Sequence, residues 1–114
     1  MKRKNLVSFT VMVKETDIAV QADKNLFDTA RESVFTYRGY IEAFIQSNPG
    51  FSTSLIPWNT KTPVPLIIDE MIKAGNLAGV GPMAAVAGAI AEFVGKDLLA
   101  HSEEVVVENG GDIF

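Results

Sequence analysis

Two glycine-rich turns flank one small-residue helix, and they are where this 114-residue chain is equipped for chemistry. The first is Gly79-Val80-Gly81-Pro82, leading into Met83-Ala84-Ala85-Val86-Ala87-Gly88. The second is Asn109-Gly110-Gly111-Asp112, reached through Val105-Val106-Val107. A glycine-rich turn that opens a helix presents backbone N–H groups at the positive end of the helix dipole, an arrangement suited to phosphate. The first turn fits that description in part. It lacks the lysine and Ser/Thr of a P-loop and the spacing of a dinucleotide fingerprint, and Pro82 removes one donor. A tight packing turn accounts for it equally well. The second turn adds the carboxylate of Asp112, and its plain structural reading is a type I′ hairpin turn with an exposed aspartate. Having both in one helix–strand unit predicts a site at one end of a sheet, provided the turns converge there.

The remaining reactive side chains form no complete constellation, and catalytic residues stay unassigned. His101 is the single histidine and the chain has no cysteine, so a His/Cys metal centre has no ligand set. A surface or helix-capping role is expected for it. Ser52, Thr53 and Ser54 have no base nearby. Asp69 and Glu70, adjacent on a helix, project about 100° apart and read as a solvated face. Trp58 beside Pro57 is expected to plug the edge of the core, with stacking on a ligand ring as the alternative.

The elements that must position these residues follow from periodicity. Val7, Phe9, Val11 and Val13 alternate with polar neighbours over Asn5–Lys14, which predicts a half-buried strand. Glu15-Thr16-Asp17 is the expected turn, with Ile18, Val20 and Ala22 in a second, antiparallel strand. Asp23 or Asn25 is placed to cap a helix from Leu26. Phe27, Ala30, Val34, Tyr37, Ile41 and Phe44 give its apolar face, and Arg31, Glu32, Arg38, Glu42 and Gln46 lie toward the other side. Pro49 ends it near Asn48, and Gly39 inside it suggests a close packing contact. Residues 51–64 read as a loop. Pro65 opens a helix with Leu66, Ile67, Met71 and Ile72 as its buried stripe and a stop near Gly75-Asn76. Met83–Leu99 is apolar nearly all round and predicts a largely buried helix. The continuous run Val105-Val106-Val107 predicts a central strand buried on both faces, and Ile113-Phe114 a returning strand. The chain stops as that strand begins, which predicts that residues 1–114 are the N-terminal part of a single, incomplete domain.

Composition restricts the function classes. The formal charge is −4 and the pI near 4.9, against a nucleic-acid partner, which would call for a basic face. The short basic tip Lys2-Arg3-Lys4 reads as a solvated terminus. At 47% hydrophobic and 21% charged residues the chain is too apolar for disorder. The most lipid-like run, Leu77–Ala91, is shorter than the ~20 residues needed to span a bilayer, so no membrane partner is expected. With no cysteine and no signal-peptide pattern, a cytoplasmic location is expected.

Residues 79–92, Gly-Val-Gly-Pro-Met-Ala-Ala-Val-Ala-Gly-Ala-Ile-Ala-Glu, followed by Val107-Glu108-Asn109-Gly110-Gly111-Asp112-Ile113-Phe114, closely resemble an uncharacterised prokaryotic family related to the ApbE proteins. Thr16-Asp17-Ile18, Tyr37-Arg38 and Asn48-Pro49-Gly50-Phe51 look like the same family, so the likeness covers nearly the whole chain. The resemblance implies an α+β architecture of the T-fold type, an antiparallel sheet with packed helices. ApbE proteins are magnesium-dependent flavin transferases that move FMN from FAD onto a threonine of a target protein, and some hydrolyse FAD. The resemblance therefore implies FAD and Mg²⁺ as cofactors, a nucleotide or flavin ligand, and transfer or hydrolysis at a pyrophosphate. Residues Asn76–Ala85 resemble the ApbE glycine turn near the flavin nucleotide, with Asn76 in place of an acidic residue and Pro82 in place of a lysine or glutamate. Gly79 resembles the position whose backbone carbonyl helps hold magnesium. Glu108–Asp112 resembles the ApbE Asn-x-Gly-Gly-Asp turn, with the asparagine one residue nearer the glycines. The implied ligand-binding set is Asn76, Gly79, Val80, Gly81, Met83, Asn109, Gly110, Gly111 and Asp112, with Gly79 also at the metal. The carboxylate and threonine that complete the ApbE metal site lie further along than this chain reaches. The substitutions at positions 76 and 82 favour a second reading, a ligand-binding or assembly module that keeps the scaffold without the chemistry. A third expectation is pairing with a missing C-terminal half or with a second copy, through an exposed edge at Val105–Val107.

Overall fold

A computed structural model describes residues 5–114, and the basic tip Lys2-Arg3-Lys4 lies outside the described residues. The alternation of Val7, Phe9, Val11 and Val13 becomes strand β1 (Val7–Val13), which turns into β2 (Thr16–Ala22). Val13 pairs with Thr16, so the turn is only Lys14-Glu15, and Lys14 adopts φ 53° to close it. The expected turn Glu15-Thr16-Asp17 is thus corrected. Thr16 and Asp17 belong to β2 because Thr16 continues the buried row of Ile18, Val20 and Ala22.

Strands β3 (Val105–Asn109) and β4 (Asp112–Ile113) complete one antiparallel sheet in the order β1-β2-β3-β4. Helices cover one face of it. Along β2 that face buries Thr16, Ile18, Val20 and Ala22, while Asp17, Ala19 and Gln21 on the other face are exposed. The valine run therefore does not form a strand buried on both faces: Val107 is buried, but Val105 and Val106 are only half-buried. An antiparallel sheet tolerates this because its second face can be solvated. Val105–Val107 is a sheet edge only in part: among the described residues Val105 and Val106 have no strand on the side away from β2. It pairs with β2 along its length, and Val107 also exchanges two backbone hydrogen bonds with Phe114 (2.8 and 3.1 Å). The long strand with a partner on one side only is β1.

Helix α1 (Phe27–Ser47) starts where Asn25 Oδ1 accepts the Phe27 N–H (2.9 Å) and ends before Pro49. Its expected stripe is the buried one at Ala30, Val34 and Ile41, whereas Phe27 at its start is exposed. Gly39 has nothing near it, so the packing contact expected there is absent. The segment expected to be loop contains the short helix α2 (Gly50–Thr53), which carries fully buried Phe51. Phe51 is edge-on to Phe44 (4.9 Å between ring centres) and to Trp58 (5.5 Å), so Trp58 plugs the core edge.

Helix α3 (Leu66–Ala78) buries Ile67, Ile68, Met71 and Ile72. Leu66, expected in that stripe, is 75% exposed because at 100° per residue it projects opposite the face that Ile67, Ile68, Met71 and Ile72 share. A short 3-10 turn (Pro82–Ala85) precedes α4 (Val86–Leu98), which buries Ala89, Ile90, Ala91, Val94 and Leu98. Among the described residues no single helix is long and apolar enough to cross a membrane, and the run Leu77–Ala91 is broken by the turn between α3 and α4.

Candidate functional site

The glycines of the first turn have local structural reasons. Gly79 takes φ 72° just past α3, its N–H donates to the Asn76 carbonyl (3.3 Å), and the Val80 N–H donates to the Gly75 carbonyl (2.9 Å). This is the Schellman closure of a helix C-terminus, in which a left-handed residue returns two amides to the last turn. Gly75 is needed because a methyl group there would sit 2.8 Å from the Val80 carbonyl oxygen. Gly81 is buried with its Cα against the Ser54 carbonyl, leaving no room for a side chain. The side chains of Asn76 and Val80 face outward.

In the second turn Asn109 pairs with Asp112, and the two loop residues are Gly110 (φ 58°) and Gly111 (φ 91°). The turn expected from Asn109-Gly110 is therefore moved by one residue. Asn109 stays in β3, is 8% exposed, and donates from Nδ2 to the Ala87 carbonyl of α4 (3.1 Å). The Gly111 N–H donates to Glu108 Oε1 (2.9 Å). Asp112 lies over Gly88, where an added methyl group would be 3.4 Å from its carboxylate. The Gly110 turn thus rests on the first turn of α4, and the Gly79 turn leads into the same helix end through Pro82–Ala85. The Gly110 turn touches α4 directly, whereas the contacts of the Gly79 turn are with α3 and the Ser54 segment.

Beside this junction, under the β1–β2 turn and between α1 and α4, lies a cavity of about 370 Å³. Its floor is Ile41, Ile45, Met83, Val86 and Ile90, with Thr16, Arg38 and Asn109 as its inner polar groups. Of the expected site residues it gathers Met83 and Asn109. Asn76, Gly79, Val80, Gly81, Gly110, Gly111 and Asp112 do not line it.

Arg38 and Thr16 were not expected there. The helical period places Arg38 toward the polar side of α1, yet its side chain is only 16% exposed. Its Nη1 donates to Thr16 Oγ1 (2.6 Å), its Nη2 to Glu15 Oε2 (2.8 Å), and its Nε lies 3.6 Å from Glu42 Oε1. Lys14 Nζ binds the other oxygen of Glu42 (2.7 Å). A backbone hydrogen bond, aided by the Arg38 guanidinium, holds the Glu15 carboxyl below its ordinary value. The signal in the sequence is the matched charges of Lys14-Glu15 and Arg38 with Glu42, but nothing local says that they meet. Among the described residues no three acidic, histidine or cysteine side chains come together to hold a metal. The Gly79 carbonyl and Asp112 alone fall short of the several oxygen ligands Mg²⁺ takes.

A second polar cluster joins α1 to α4. Asp97 accepts from Ser33 Oγ (2.7 Å) and from the Tyr37 hydroxyl (3.1 Å). His101 beyond it is exposed, as expected. Burial, with the Asp97 hydrogen bond second, pushes the Tyr37 hydroxyl up from 10.0 to about 12. The folded form therefore holds its proton more tightly than the unfolded chain. This contribution is fully present below pH 10 and is lost as the pH rises toward 12. Urea unfolding across that range should show a steeper loss of stability for the native chain than for Tyr37→Phe, and identical slopes would refute the assignment.

Fold and site together define an α+β protein, a four-stranded antiparallel sheet with packed helices and a small cavity between α1, α4 and the β1–β2 turn. The chain belongs to the family described as AbpE bacteria, whose model matches residues 1–114. It is 42% identical to UPF0280 protein MJ1526 of Methanocaldococcus jannaschii over 104 residues, which cover 90% of this chain and 42% of that protein. It is 38% identical over 103 residues to a UPF0280 protein of Methanococcoides burtonii, covering 89% of this chain and 44% of the relative. UPF0280 protein MK0206 of Methanopyrus kandleri is 37% identical over 109 residues, covering 95% and 44%. The chain spans less than half the length of these curated relatives.

Proposed function

We propose that this chain forms one wall of a nucleotide- or flavin-binding site in an ApbE-like domain of the T-fold type, acting with Mg²⁺ in transfer or hydrolysis at a pyrophosphate. The supporting observation is the Asn109–Ala87 hydrogen bond, which seats the Gly110 turn on α4 beside a cavity shared by Met83 and Asn109. Asp112 lies next to Gly88 on the first turn of α4, and in this reading it orients the ligand's metal-linked end. This reading requires further magnesium ligands from outside the described residues. The described residues do not fit Mg²⁺ by themselves.

A specific observation favours a second reading, a non-catalytic ligand-binding or assembly module on the same scaffold. The amides of Gly79, Val80 and Gly111 are already committed to Asn76, Gly75 and Glu108, which leaves these glycine turns poorly supplied with donors for phosphate. Neutral Asn76 and Pro82 add no charge in their place.

Calorimetric titration with FAD, with and without Mg²⁺, separates the two when product formation is followed in parallel. The first reading expects binding that Mg²⁺ strengthens and Asp112→Ala weakens about tenfold, or ~1.4 kcal/mol. Binding without metal dependence or turnover supports the second. Absence of FAD binding sinks the first.

A further inference from the structure

We propose that the cavity beneath the β1–β2 turn takes an uncharged, planar fused-ring compound, inserted ring-first with any phosphate left outside. The proposal rests on the nucleotide or flavin reading for the class of occupant, and goes beyond it in saying which end the cavity recognises.

Shape is the first argument. Ile41 and Ile45 are one turn apart on α1, and Val86 and Ile90 are one turn apart on α4. Residues at this spacing stack on one face of a helix, so two rows of branched side chains form a slot suited to a flat body. Met83, an adaptable side chain, closes one end. A volume of about 370 Å³ lies within the range of small-molecule pockets.

Charge is the second argument. Lys14 and Arg38 near the mouth are matched by Glu15 and Glu42 in one chain of ion pairs, two charges of each sign. Arg38 has Nη1 on Thr16, Nη2 on Glu15 and Nε toward Glu42. A phosphate would have to displace Glu15 from the largely covered Arg38 guanidinium and give up a charge-assisted hydrogen bond already made there. An uncharged ring disturbs none of these pairs.

Polarity at the inner edge is the third argument. Thr16 is 7% exposed and accepts from Arg38, which leaves its own hydroxyl hydrogen to donate to a ring carbonyl. Asn109 uses Nδ2 on Ala87, and its amide oxygen is the complementary acceptor for a ring N–H. The partly polar edge of a heterocycle matches this pair better than a hydrocarbon does.

The test is a calorimetric titration of the full chain with riboflavin, FMN, FAD and inorganic pyrophosphate. Riboflavin is expected to bind within roughly threefold of FMN, an energy difference of less than ~0.7 kcal/mol. Its affinity should change less than about twofold between about 50 and about 500 mM salt, because no ion pair is formed. Pyrophosphate should not compete. Ala87 also lines the cavity, so Ala87→Leu narrows the slot and should weaken riboflavin by about tenfold. Met83→Phe, outside the regular helices, should do the same if the first variant folds poorly by circular dichroism. If FMN or FAD binds about tenfold or more tightly than riboflavin, or folded variants keep full riboflavin affinity, the ring-first proposal is overturned while the nucleotide reading stands. Riboflavin binding without FMN or FAD binding upholds the slot and removes the nucleotide reading. No binding of any of the three overturns both.

Discussion

Gly81→Ala is expected to destabilise the chain by about 3 kcal/mol, at the upper end of overpacking costs, because the new methyl group would enter the Ser54 carbonyl. The obstacle is backbone on both sides. Gly81 is held between the α3 closure and Pro82, and Ser54 is held by the hydrogen bond from its N–H to the Gly50 carbonyl (3.0 Å). Neither can yield as the tip of a flexible side chain would. Relief requires parting the Gly79 turn from the α2 segment, which also disturbs the path of Pro82–Ala85 into the cavity. Urea denaturation measures the loss directly. Gly39→Ala is the matched control, the same substitution inside an exposed helical turn with nothing near the new methyl. It should stabilise by about 0.5–1 kcal/mol through reduced freedom of the unfolded chain. Equal effects at the two positions would mean that the Gly81 contact does not constrain the fold.

Phe51→Ala is the second large effect, a loss of about 3–5 kcal/mol. Phe51 is fully buried in a four-residue helix that has almost no stability of its own. Its ring sits edge-on to both Phe44 of α1 and Trp58 of the following segment, tying that segment to the core. Removing it leaves a void that the surrounding helices can fill only in part. Trp58 is the single tryptophan, so its emission reports the change without a label. Earlier unfolding in urea together with a red-shifted native spectrum is expected. A loss below about 1 kcal/mol, with the spectrum unchanged, would show that the segment is anchored elsewhere.

Much of the fold was legible because short-range periodicity reports which side of an element is buried. The alternation at Val7–Val13 and the stripe through Ala30, Val34 and Ile41 required no knowledge of partners, and the structure uses both. Reading failed where a partner decides. Three consecutive valines look alike whether a second layer covers the sheet or not, and here one face of the sheet is open. Leu66 is as apolar as its neighbours but projects away from the face that Ile67, Ile68, Met71 and Ile72 bury. At the hairpins, a single pairing, Val13 with Thr16 or Asn109 with Asp112, set the turn that local residue preferences misplaced.

The candidate site divides in the same way. By itself the sequence determined that glycine-rich turns border α4 at Gly79–Gly81 and Gly110–Gly111, since bare backbone and left-handed geometry are properties of residue type. It also determined the family, because that depends on the order of residues alone. Tertiary structure decided what the turns are for locally: Gly79 closes α3, Gly81 admits the Ser54 carbonyl, and Asn109 reaches Ala87. It alone brought Arg38 from α1 to Thr16 and Glu15 of the first hairpin and placed this network over an apolar slot. The physical reason is distance along the chain. A turn closes over a few neighbouring residues, whereas a cavity exists only after helices and sheet, each stable chiefly through the others, have packed together.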